Sequence, residues 1–278
     1  MLLAHDELGC LAIEGPDSTR FLQGQCTADA AGLPVKHWTL AGFANVKGRL
    51  YANGRLARLA EHHYWFLLPR SNVNSTLTQL NKYAAFFKTT LSDVSTQWHF
   101  SADPTQHSAA QQVTLTDQQV VLHCPEQWQL QATRQPQAFN SQAWAHYELQ
   151  QGLVWITAAL VDAFLPQELE WDHLGGVSYQ KGCYTGQEVI ARLHYRGQLK
   201  KGLRHLSGSG TAPEPLAALH NAEGKNRAQI ARVLPLTKGW QALAVVRHDT
   251  TELLWQDQPI TLGAWVAPQP TASNKDSE

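Results

Sequence analysis

The chain has 278 residues, of which 43 % are hydrophobic and 16 % are charged, and its formal net charge at pH 7 is −1. This length is sufficient for two or three compact units with a sizeable core, and the nearly balanced charge gives no indication of a nucleic-acid or acidic partner. No apolar run is long enough to span a bilayer, and the first residues lack the basic region and apolar core of a secretory signal.

The amino-terminal part of the sequence alternates short strands with helices. Pro16 suits the first position of a helix whose apolar face includes Phe21 and Leu22, and a second helix begins at Ser71 or Asn72. Apolar runs bounded by turn residues predict strands over 8–13, 38–43, 49–56, 64–68 and 88–92.

The middle of the chain is less regular. Residues 97–134 alternate short apolar runs with polar breaks, which predicts β structure without fixing its register. Ser141 begins a clear helix that ends at Gly152. Residues 153–180 are expected to be mostly loop and short strand.

The carboxy-terminal part contains short apolar runs separated by Gly, Pro and Asn turns. Regular spacing of this kind indicates a small β-barrel, which we place at 199–267 after a body formed by 1–198. The tail, 268–278, is charged and rich in Pro, Ser and Asn, and is expected to be disordered. The predicted strands of the barrel cover 203–206, 229–234, 242–246 and 253–255.

The four cysteines are widely scattered. They form no C-x-x-C pair and no Cys/His ligand spacing, which argues against a structural metal site and against a disulfide framework. A reducing cytoplasm is therefore the expected location. The cysteines are Cys10, Cys26, Cys124 and Cys183.

The most informative stretch is the run K-G-C-Y-T-G-Q-E at 181–188. Thr185 and Glu188 have the spacing of a capping box, which predicts a helix start, and Gly197 is placed to end that helix in a left-handed conformation. Glu188 is accordingly interpreted as a cap and not as a catalyst.

Cys183 would lie close to the positive end of this helix and next to Lys181. Both effects favour the thiolate, so this sulfur is expected to be more reactive than an ordinary cysteine. The alternative is a glycine-containing turn in which Cys183 is a small apolar filler.

The same run resembles the signature of the YgfZ family of folate-binding proteins, a branch of the superfamily that contains the glycine-cleavage T-protein. The segment F-L-Q-G-Q-C-T-A-D at 21–29 is similar to a superfamily motif, and N-V-K-G-R at 45–49 is similar to its glycine turn. The resemblance implies an α+β fold with two interleaved α+β units around a central folate cavity, followed by a small β-barrel.

The resemblance also implies ligand contacts. Trp144 corresponds to a folate-contacting tryptophan of the family, although without the resemblance a packing role would be favoured. Leu8 is the nearest match to a second such tryptophan, so that aromatic contact is expected to be lost. Lys47 and Arg49 are suited to the anionic tail of a folate, or are simply a solvated hairpin tip.

Within the run, our hypothesis gives Cys183 the reactive role and Lys181 the tuning charge, while Gly182 and Gly186 form the backbone turn. Tyr184 either lines the cavity or packs against the barrel.

Two further features of this region concern orientation and partners. Gln187 orients the turn together with Glu188. The basic stretch at 192–204 is interpreted as a solvated surface, because Tyr195 is its one aromatic residue, and direct tRNA binding is not expected.

By resemblance, the function is that of a tetrahydrofolate-binding accessory protein, and not of a turnover enzyme of a defined class. Such proteins support the assembly or repair of iron–sulfur clusters in enzymes that include those methylthiolating tRNA. One alternative is a folate-dependent aminomethyl transferase, but the aspartate pair of that enzyme has no counterpart at 50–53. Another is a non-catalytic module that senses folate.

Overall fold

The computed structural model describes residues 8–105, 111–125, 127–137, 140–197 and 199–267. These residues form three antiparallel sheets and four α-helices. The predicted α+β class is therefore confirmed, whereas the interleaving of two units and the boundaries between units stay predictions. The predicted disordered tail, 268–278, lies outside the described residues.

The first sheet has five strands in the order β2-β3-β4-β1-β5. Helices α1 and α2 join strands of this sheet. The strands are β1 Leu8–Glu14, β2 His37–Ala44, β3 Leu50–Ala60, β4 His63–Pro69 and β5 Thr90–Asp93, and the helices are α1 Ser18–Gln25 and α2 Val73–Ala84.

The second sheet has four strands in the order β6-β9-β8-β7, and the third has seven in the order β15-β14-β11-β12-β13-β10-β16. The second sheet contains β6 His99–Pro104, β7 Val113–Leu115, β8 Gln119–Cys124 and β9 Trp128–Thr133. The third contains β10 Lys201–Gly208, β11 Ala218–His220, β12 Asn226–Pro235, β13 Trp240–Arg247, β14 Leu254–Trp255, β15 Gln258–Pro259 and β16 Thr261–Trp265. The remaining helices are α3 Ser141–Gln150 and α4 Gln187–Arg196.

The first sheet is covered on both faces, which explains why its strands are apolar almost throughout. In β1, Leu11 and Ile13 belong to a core cluster shared with helices α1 and α2. Cys10 and Ala12, on the opposite face, belong to a second cluster shared with strands of the second sheet and with Trp144 of α3. Alternate residues of a strand point to opposite faces, so this one strand contributes to two cores.

Most of the predicted strands and helices are confirmed to within a few residues. Helix α3 begins as expected, with Asn140 as its N-cap, whose Oδ1 accepts a hydrogen bond from Ala143 N at 3.0 Å. In contrast, Asn72 precedes α2 but does not cap it, because its Nδ2 donates to the carbonyls of Tyr51 and Ile156 at 2.8 and 2.9 Å.

The end strands of the third sheet, β15 and β16, are separated in the chain by Ile260 alone. The segment 258–265 therefore pairs with β14 at one end and with β10 at the other. The predicted small barrel stays a prediction.

Two predictions of local structure were wrong. Residues 153–180 contain short 3₁₀ turns at 158–160 and 166–169 but no strand. Gly197 ends α4 in an extended conformation, with φ −107°, and not in the left-handed one. No helix in the described ranges is long and apolar enough to cross a membrane.

Candidate functional site

Three segments singled out from the sequence meet in the structure. The loop that carries Cys183 runs along the end of α1, where Ser178 N donates to Thr27 O at 2.8 Å and Thr185 N donates to Gly24 O at 3.3 Å. The same loop leads into α4, whose first turn packs on the hairpin between β2 and β3. These contacts place the segments 24–29, 45–49 and 178–188 side by side.

Two glycines make the contact between the hairpin and α4. Gly186 has φ +84°, and a Cβ on it would lie 2.5 Å from the carbonyl oxygen of Asn45. Gly48, in the hairpin, has φ +75°, and a Cβ on it would lie 3.0 Å from Cβ of Val189. Each turn therefore needs the left-handed conformation and the space that glycine provides.

The helix start differs from the predicted capping box. Helix α4 begins at Gln187 after Gly186, and no side chain caps it. The hydroxyl of Thr185 lies 3.4 Å from Oε1 of Gln25, and Glu188 is exposed. The capping-box prediction was wrong because the left-handed Gly186 packs against the hairpin and occupies the N-cap position itself.

Cys183 is the exposed cysteine of the four. Burial raises the pKa of the Cys10 and Cys26 thiols, and it raises the pKa of the Cys124 thiol to about 11. A thiol that is buried and protonated is a poor nucleophile. The structure therefore leaves Cys183, three residues before the helix cap Gly186, as the accessible thiol.

The amine of Lys181 is directed into the protein. Its Nζ donates to the carbonyls of Cys26 and Ala28, both at 2.8 Å, and lies 5.0 Å from the ring centroid of Tyr184. Burial lowers the pKa of Lys181, and the neighbouring Cys26 and Asp29 only partly offset that effect. Lys181 thus fastens the Cys183 loop to the end of α1, and its predicted electrostatic effect on Cys183 stays a prediction.

The remaining residues of the run have unequal exposure. Tyr184 is 7 % exposed and belongs to the core cluster of Trp144, and burial raises the pKa of its phenol. Its hydroxyl has no hydrogen-bond partner among the described residues. Gln187 is half-buried, and its backbone N donates to Tyr184 O at 3.2 Å. Gly182 is exposed, and a Cβ on it would meet nothing within 4 Å.

The two basic residues of the hairpin differ in their surroundings. Lys47 is exposed at the tip. The guanidinium of Arg49 donates to the carbonyl of Ala163, and Asn45 Nδ2 donates to Asp162 Oδ1 at 2.8 Å, so the hairpin is fastened to 162–164. The charge of Lys47 is therefore open to solvent, while Arg49 also has a structural contact.

Trp144 lies in an aromatic stack and is 9 % exposed. Its ring centroid is 5.5 Å from that of Trp128 and 5.1 Å from that of Tyr147, and the guanidinium of Arg55 lies 5.1 Å from it. Leu8, at the start of β1, is half-buried against the same cluster. Trp144 and Leu8, the two predicted folate contacts, therefore lie at one core cluster. Their contact with folate stays a prediction.

A buried ionic network adjoins this stack, and sequence reasoning missed it. Glu148 of α3 accepts hydrogen bonds from Arg55 at 2.9 Å, from Arg232 at 3.1 Å and from Trp155 Nε1 at 2.9 Å. Burial alone would raise the pKa of Glu148, but the two guanidiniums and the indole outweigh it and the pKa is lowered. The available signal was Arg55 between Gly54 and Leu56 in β3, at a position where the strand pattern is otherwise that of a buried strand.

A pocket of about 300 Å³ opens between the segment after α1, the start of β2 and the loop before Cys183. Trp144, Leu8 and Cys183 do not line it. Its walls combine carboxylate, imidazole, hydroxyl and amide groups with an indole and aliphatic side chains. They are formed by Ala28, Asp29, Gly32, Leu33, Pro34, His37, Trp38, Thr39, Gln111, Gly175 and Ser178.

The chain is similar to known proteins both in sequence and in fold. Residues 2–102 match the GCVT N-terminal domain. The fold resembles glycine cleavage system aminomethyltransferase T from Bartonella henselae, with a TM-score of 0.67 and 16 % identity over 94 % of this chain and 83 % of that one.

Curated relatives extend the match over most of the chain, and all three described here are called tRNA-modifying protein YgfZ. The protein from Photorhabdus laumondii is 33 % identical over 76 % of this chain and 71 % of its own length. The one from Serratia proteamaculans is 30 % identical, covering 84 % and 79 %. The one from Escherichia coli is 31 % identical, covering 90 % and 86 %. The chain belongs to the YgfZ family.

Proposed function

We propose that this chain is a tetrahydrofolate-binding accessory protein that supports iron–sulfur enzymes, including those that methylthiolate tRNA, and that Cys183 is its reactive residue. Family membership supports the link to tRNA modification, because the relatives carry that description. The folate part is supported by the resemblance of the signature run and by the fold shared with an aminomethyltransferase.

The exposure of Cys183 is the observation that carries the proposal. Three separate segments build a packed support beneath one loop, and that loop presents a thiol to solvent. A cysteine that only filled a turn would be covered, as Cys10, Cys26 and Cys124 are. An accessible thiol on a rigid support suits chemistry with a partner protein or with a small molecule.

The described residues provide groups that a folate requires. A pterin ring is flat and carries donors and acceptors along one edge, while the tail is anionic. Lys47 is exposed at the tip of the hairpin that packs on the start of α4, and its charge suits the tail. Trp144 is 9 % exposed, so a pterin ring could contact only the small part of the indole that faces solvent unless a neighbouring side chain moved.

The alternative of an aminomethyl transferase has less support. In that enzyme a carboxylate pair follows the glycine turn, whereas here the corresponding strand contains Asn53. The amide of Asn53 donates to Val154 O at 2.8 Å and accepts from Ile156 N at 2.7 Å. This amide is buried and holds the backbone of the loop after α3. Asn53 therefore has a structural role and does not provide a general base.

The test uses cells that lack the protein. Such cells are complemented with wild type, with Cys183→Ala and with Gly182→Ala, which changes an adjacent exposed position, and methylthiolated nucleosides of tRNA are measured by mass spectrometry. We expect wild type and Gly182→Ala to restore methylthiolation and Cys183→Ala to fail. Full restoration by Cys183→Ala would refute a chemical role of the thiol.

Purified protein separates the remaining alternatives. An accessory protein binds tetrahydrofolate, detected by quenching of tryptophan fluorescence, and Cys183→Ala retains this binding. A transferase would exchange the one-carbon unit of methylenetetrahydrofolate, and this exchange would survive Cys183→Ala. A folate sensor without chemistry would bind folate, and its Cys183→Ala variant would support methylthiolation in cells as well as wild type.

A further inference from the structure

A separate group of polar side chains lies in the turn that follows the 3₁₀ turn at 166–169. Leu174 N donates to Glu170 O at 3.0 Å, so the chain makes one helical turn here. Residues three apart in such a turn have their side chains on one side of it. The potential ligand atoms of Glu170, Asp172 and His173 all lie within 4.8 Å of one another. The turn therefore gathers two carboxylates and one imidazole, and no cysteine is involved.

Glu170 is buried, and one of its carboxylate oxygens has no donor. The residue is 8 % exposed, and its Oε1 accepts a hydrogen bond from Leu203 N of β10 at 3.3 Å. Its Oε2 lies 3.8 Å from Nε2 of His173, which is too long for a hydrogen bond. No other described residue donates to Oε2. A buried carboxylate oxygen without a donor costs free energy, which a bound cation would recover.

Asp172 is held in place by a second layer of side chains. Its Oδ2 accepts a hydrogen bond from the hydroxyl of Tyr179 at 3.0 Å, while its Oδ1 is buried and has no hydrogen-bond partner among the described residues. The Tyr179 hydroxyl accepts in turn from Gln167 Nε2 at 3.3 Å, and the Tyr179 ring stacks on His194 of α4 with centroids 3.6 Å apart. This support fixes the orientation of the carboxylate, as outer-shell residues do at metal sites.

The negative charge of the cluster is not balanced by a basic side chain. The nearby carboxylate of Glu168 is paired, since Lys201 Nζ lies 2.7 Å from its Oε1. Within the described ranges, no lysine or arginine forms an ion pair with Glu170 or Asp172. With a neutral imidazole, two ionised carboxylates match the charge of a divalent cation. The side chain of His173 is 57 % exposed, so an ion can reach the cluster from solvent.

We propose that Glu170, Asp172 and His173 bind one divalent transition-metal ion of the zinc type. The imidazole favours Zn²⁺ over Mg²⁺ and Ca²⁺, which prefer oxygen ligands alone. Zn²⁺ is bound by nitrogen and oxygen at about 2.0–2.2 Å, and tetrahedral ligands at this distance lie about 3.4 Å apart. Glu170 Oε2 and His173 Nε2 are 3.8 Å apart and need to approach by only about 0.4 Å. Three protein ligands leave a fourth position for water or for another ligand.

The ion would connect two parts of the fold to the turn that binds it. Glu170 is hydrogen-bonded to β10 of the third sheet, and Asp172 is linked through Tyr179 to α4. Binding is therefore expected to stabilise the folded chain. The inference does not rest on the proposed function, because it uses neither folate nor Cys183.

The test measures binding of Zn²⁺ to the full chain by calorimetry after treatment with EDTA. We expect wild type to bind one Zn²⁺ that His173→Ala and Glu170→Gln bind more than about 100-fold more weakly, since outer-shell residues alone contribute 10- to 100-fold. Tyr179→Phe removes only the hydrogen bond to Asp172 and is expected to weaken binding about 10- to 100-fold. Excess Mg²⁺ should not displace the ion. Co²⁺ in place of Zn²⁺ should give visible absorption bands in wild type that His173→Ala lacks.

An exposed pair elsewhere provides a matched control. His62 Nε2 lies 3.7 Å from Glu61 Oε1, but both side chains are exposed and the pair belongs to no group of three potential ligands in the described ranges. His62→Ala and Cys183→Ala are therefore expected to bind Zn²⁺ as wild type does. Urea unfolding in EDTA checks that each variant is folded, and Zn²⁺ should raise the midpoint of wild type but not that of His173→Ala.

Two outcomes overturn the inference. One is that wild type binds no more Zn²⁺ than His173→Ala does. The other is that His62→Ala loses as much Zn²⁺ as His173→Ala, because binding would then be that of surface histidines in general. Neither result decides the proposed function, which is measured separately, by tRNA methylthiolation in cells complemented with Cys183→Ala.

Discussion

The two glycines that flank Cys183 provide a matched pair of substitutions, because the structure gives them opposite tolerances. Gly182 is exposed, does not have a positive φ, and would carry a Cβ into open space. Gly186 has φ +84° and would carry a Cβ to 2.5 Å from the carbonyl oxygen of Asn45. The alanine variants therefore differ in their effect on the same short loop.

The cost at Gly186 is the sum of two effects. A left-handed conformation costs a residue with a side chain about 1–2 kcal/mol. The clash is with backbone, which cannot rotate away, and forced packing of this kind costs about 1–3 kcal/mol. We therefore expect Gly186→Ala to lower the free energy of unfolding by about 2–5 kcal/mol. For Gly182→Ala we expect the free energy of unfolding to change by no more than about 0.5 kcal/mol. A small increase would follow from the lower conformational entropy of the unfolded chain when alanine replaces glycine.

The assay is urea unfolding followed by tryptophan fluorescence, with the midpoints of wild type and both variants compared at one pH. A local measurement accompanies it, namely hydrogen exchange of the backbone amides at 45–48, which should become faster in Gly186→Ala alone. Equal midpoints for the two variants would refute the interlocking of the hairpin with the start of α4. A larger loss from Gly182→Ala would refute it as well.

Three further predictions concern the thiols and the buried charges. A neutral disulfide reagent should modify Cys183 quickly in the folded protein and the other three cysteines only after unfolding, because those three are buried. Glu148→Gln should lower the free energy of unfolding by about 3–5 kcal/mol, because it leaves the charge of Arg55 unpaired in the interior. Since the pKa of Glu148 is lowered on folding, its contribution is present above its ordinary pKa of 4.5 and is lost as the pH falls through the lower folded value, which urea unfolding at decreasing pH will measure. Lys181→Met should cost about 1–3 kcal/mol in urea unfolding and should accelerate alkylation of Cys26, since two hydrogen bonds to carbonyls are removed.

Exposed residues of the same type serve as controls. Glu61→Gln removes a surface carboxylate and should change the unfolding midpoint little, as should Lys200→Met. Equal rates of modification for all four cysteines would contradict the burial argument. If Glu148→Gln were as stable as Glu61→Gln, the guanidiniums of Arg55 and Arg232 would not be buried as they are in the structure.

The sequence predicted those elements whose signal is local. Strands β1, β2 and β4 were placed to within a residue or so, because apolar runs between turn residues depend only on neighbours in the chain. The start of α4 was misplaced, since the spacing of Thr185 and Glu188 satisfies a capping box while the contact that decides the matter, between Gly186 and Asn45, is distant in sequence. The pairing of the segment 258–265 with both β14 and β10 joins strands that are distant in sequence, so it could not be predicted from the strand spacing.

The buried ionic network around Glu148 also could not be predicted from local sequence. Arg55 and Glu148 are 93 residues apart, and Glu148 and Arg232 are 84 residues apart, so no window of sequence contains two of them. Taken alone, Arg55 argues against a buried strand at this position, because burying a charge without a partner costs much free energy. Only the fold places the Glu148 carboxylate of α3 between Arg55 of β3 and Arg232 of β12, two strands that belong to different sheets.

Solvent exposure separates the residues of the candidate site that hold the Cys183 loop in place from those that can react with or bind a ligand. From the sequence, the hairpin run and the Cys183 run were two separate sets of ligand-binding candidates. In the structure they form one packed unit, in which Gly48 and Gly186 interlock and Lys181 fastens the loop. Residues that hold such a unit together would be needed for function even if they never touched a ligand. Cys183 and Lys47 are exposed in this unit, as are the carboxylates Asp29 and Glu188. Of these four, Cys183 is the nucleophile and Lys47 is the cation that suits an anionic tail, so chemistry with folate or a partner protein should depend on these two directly.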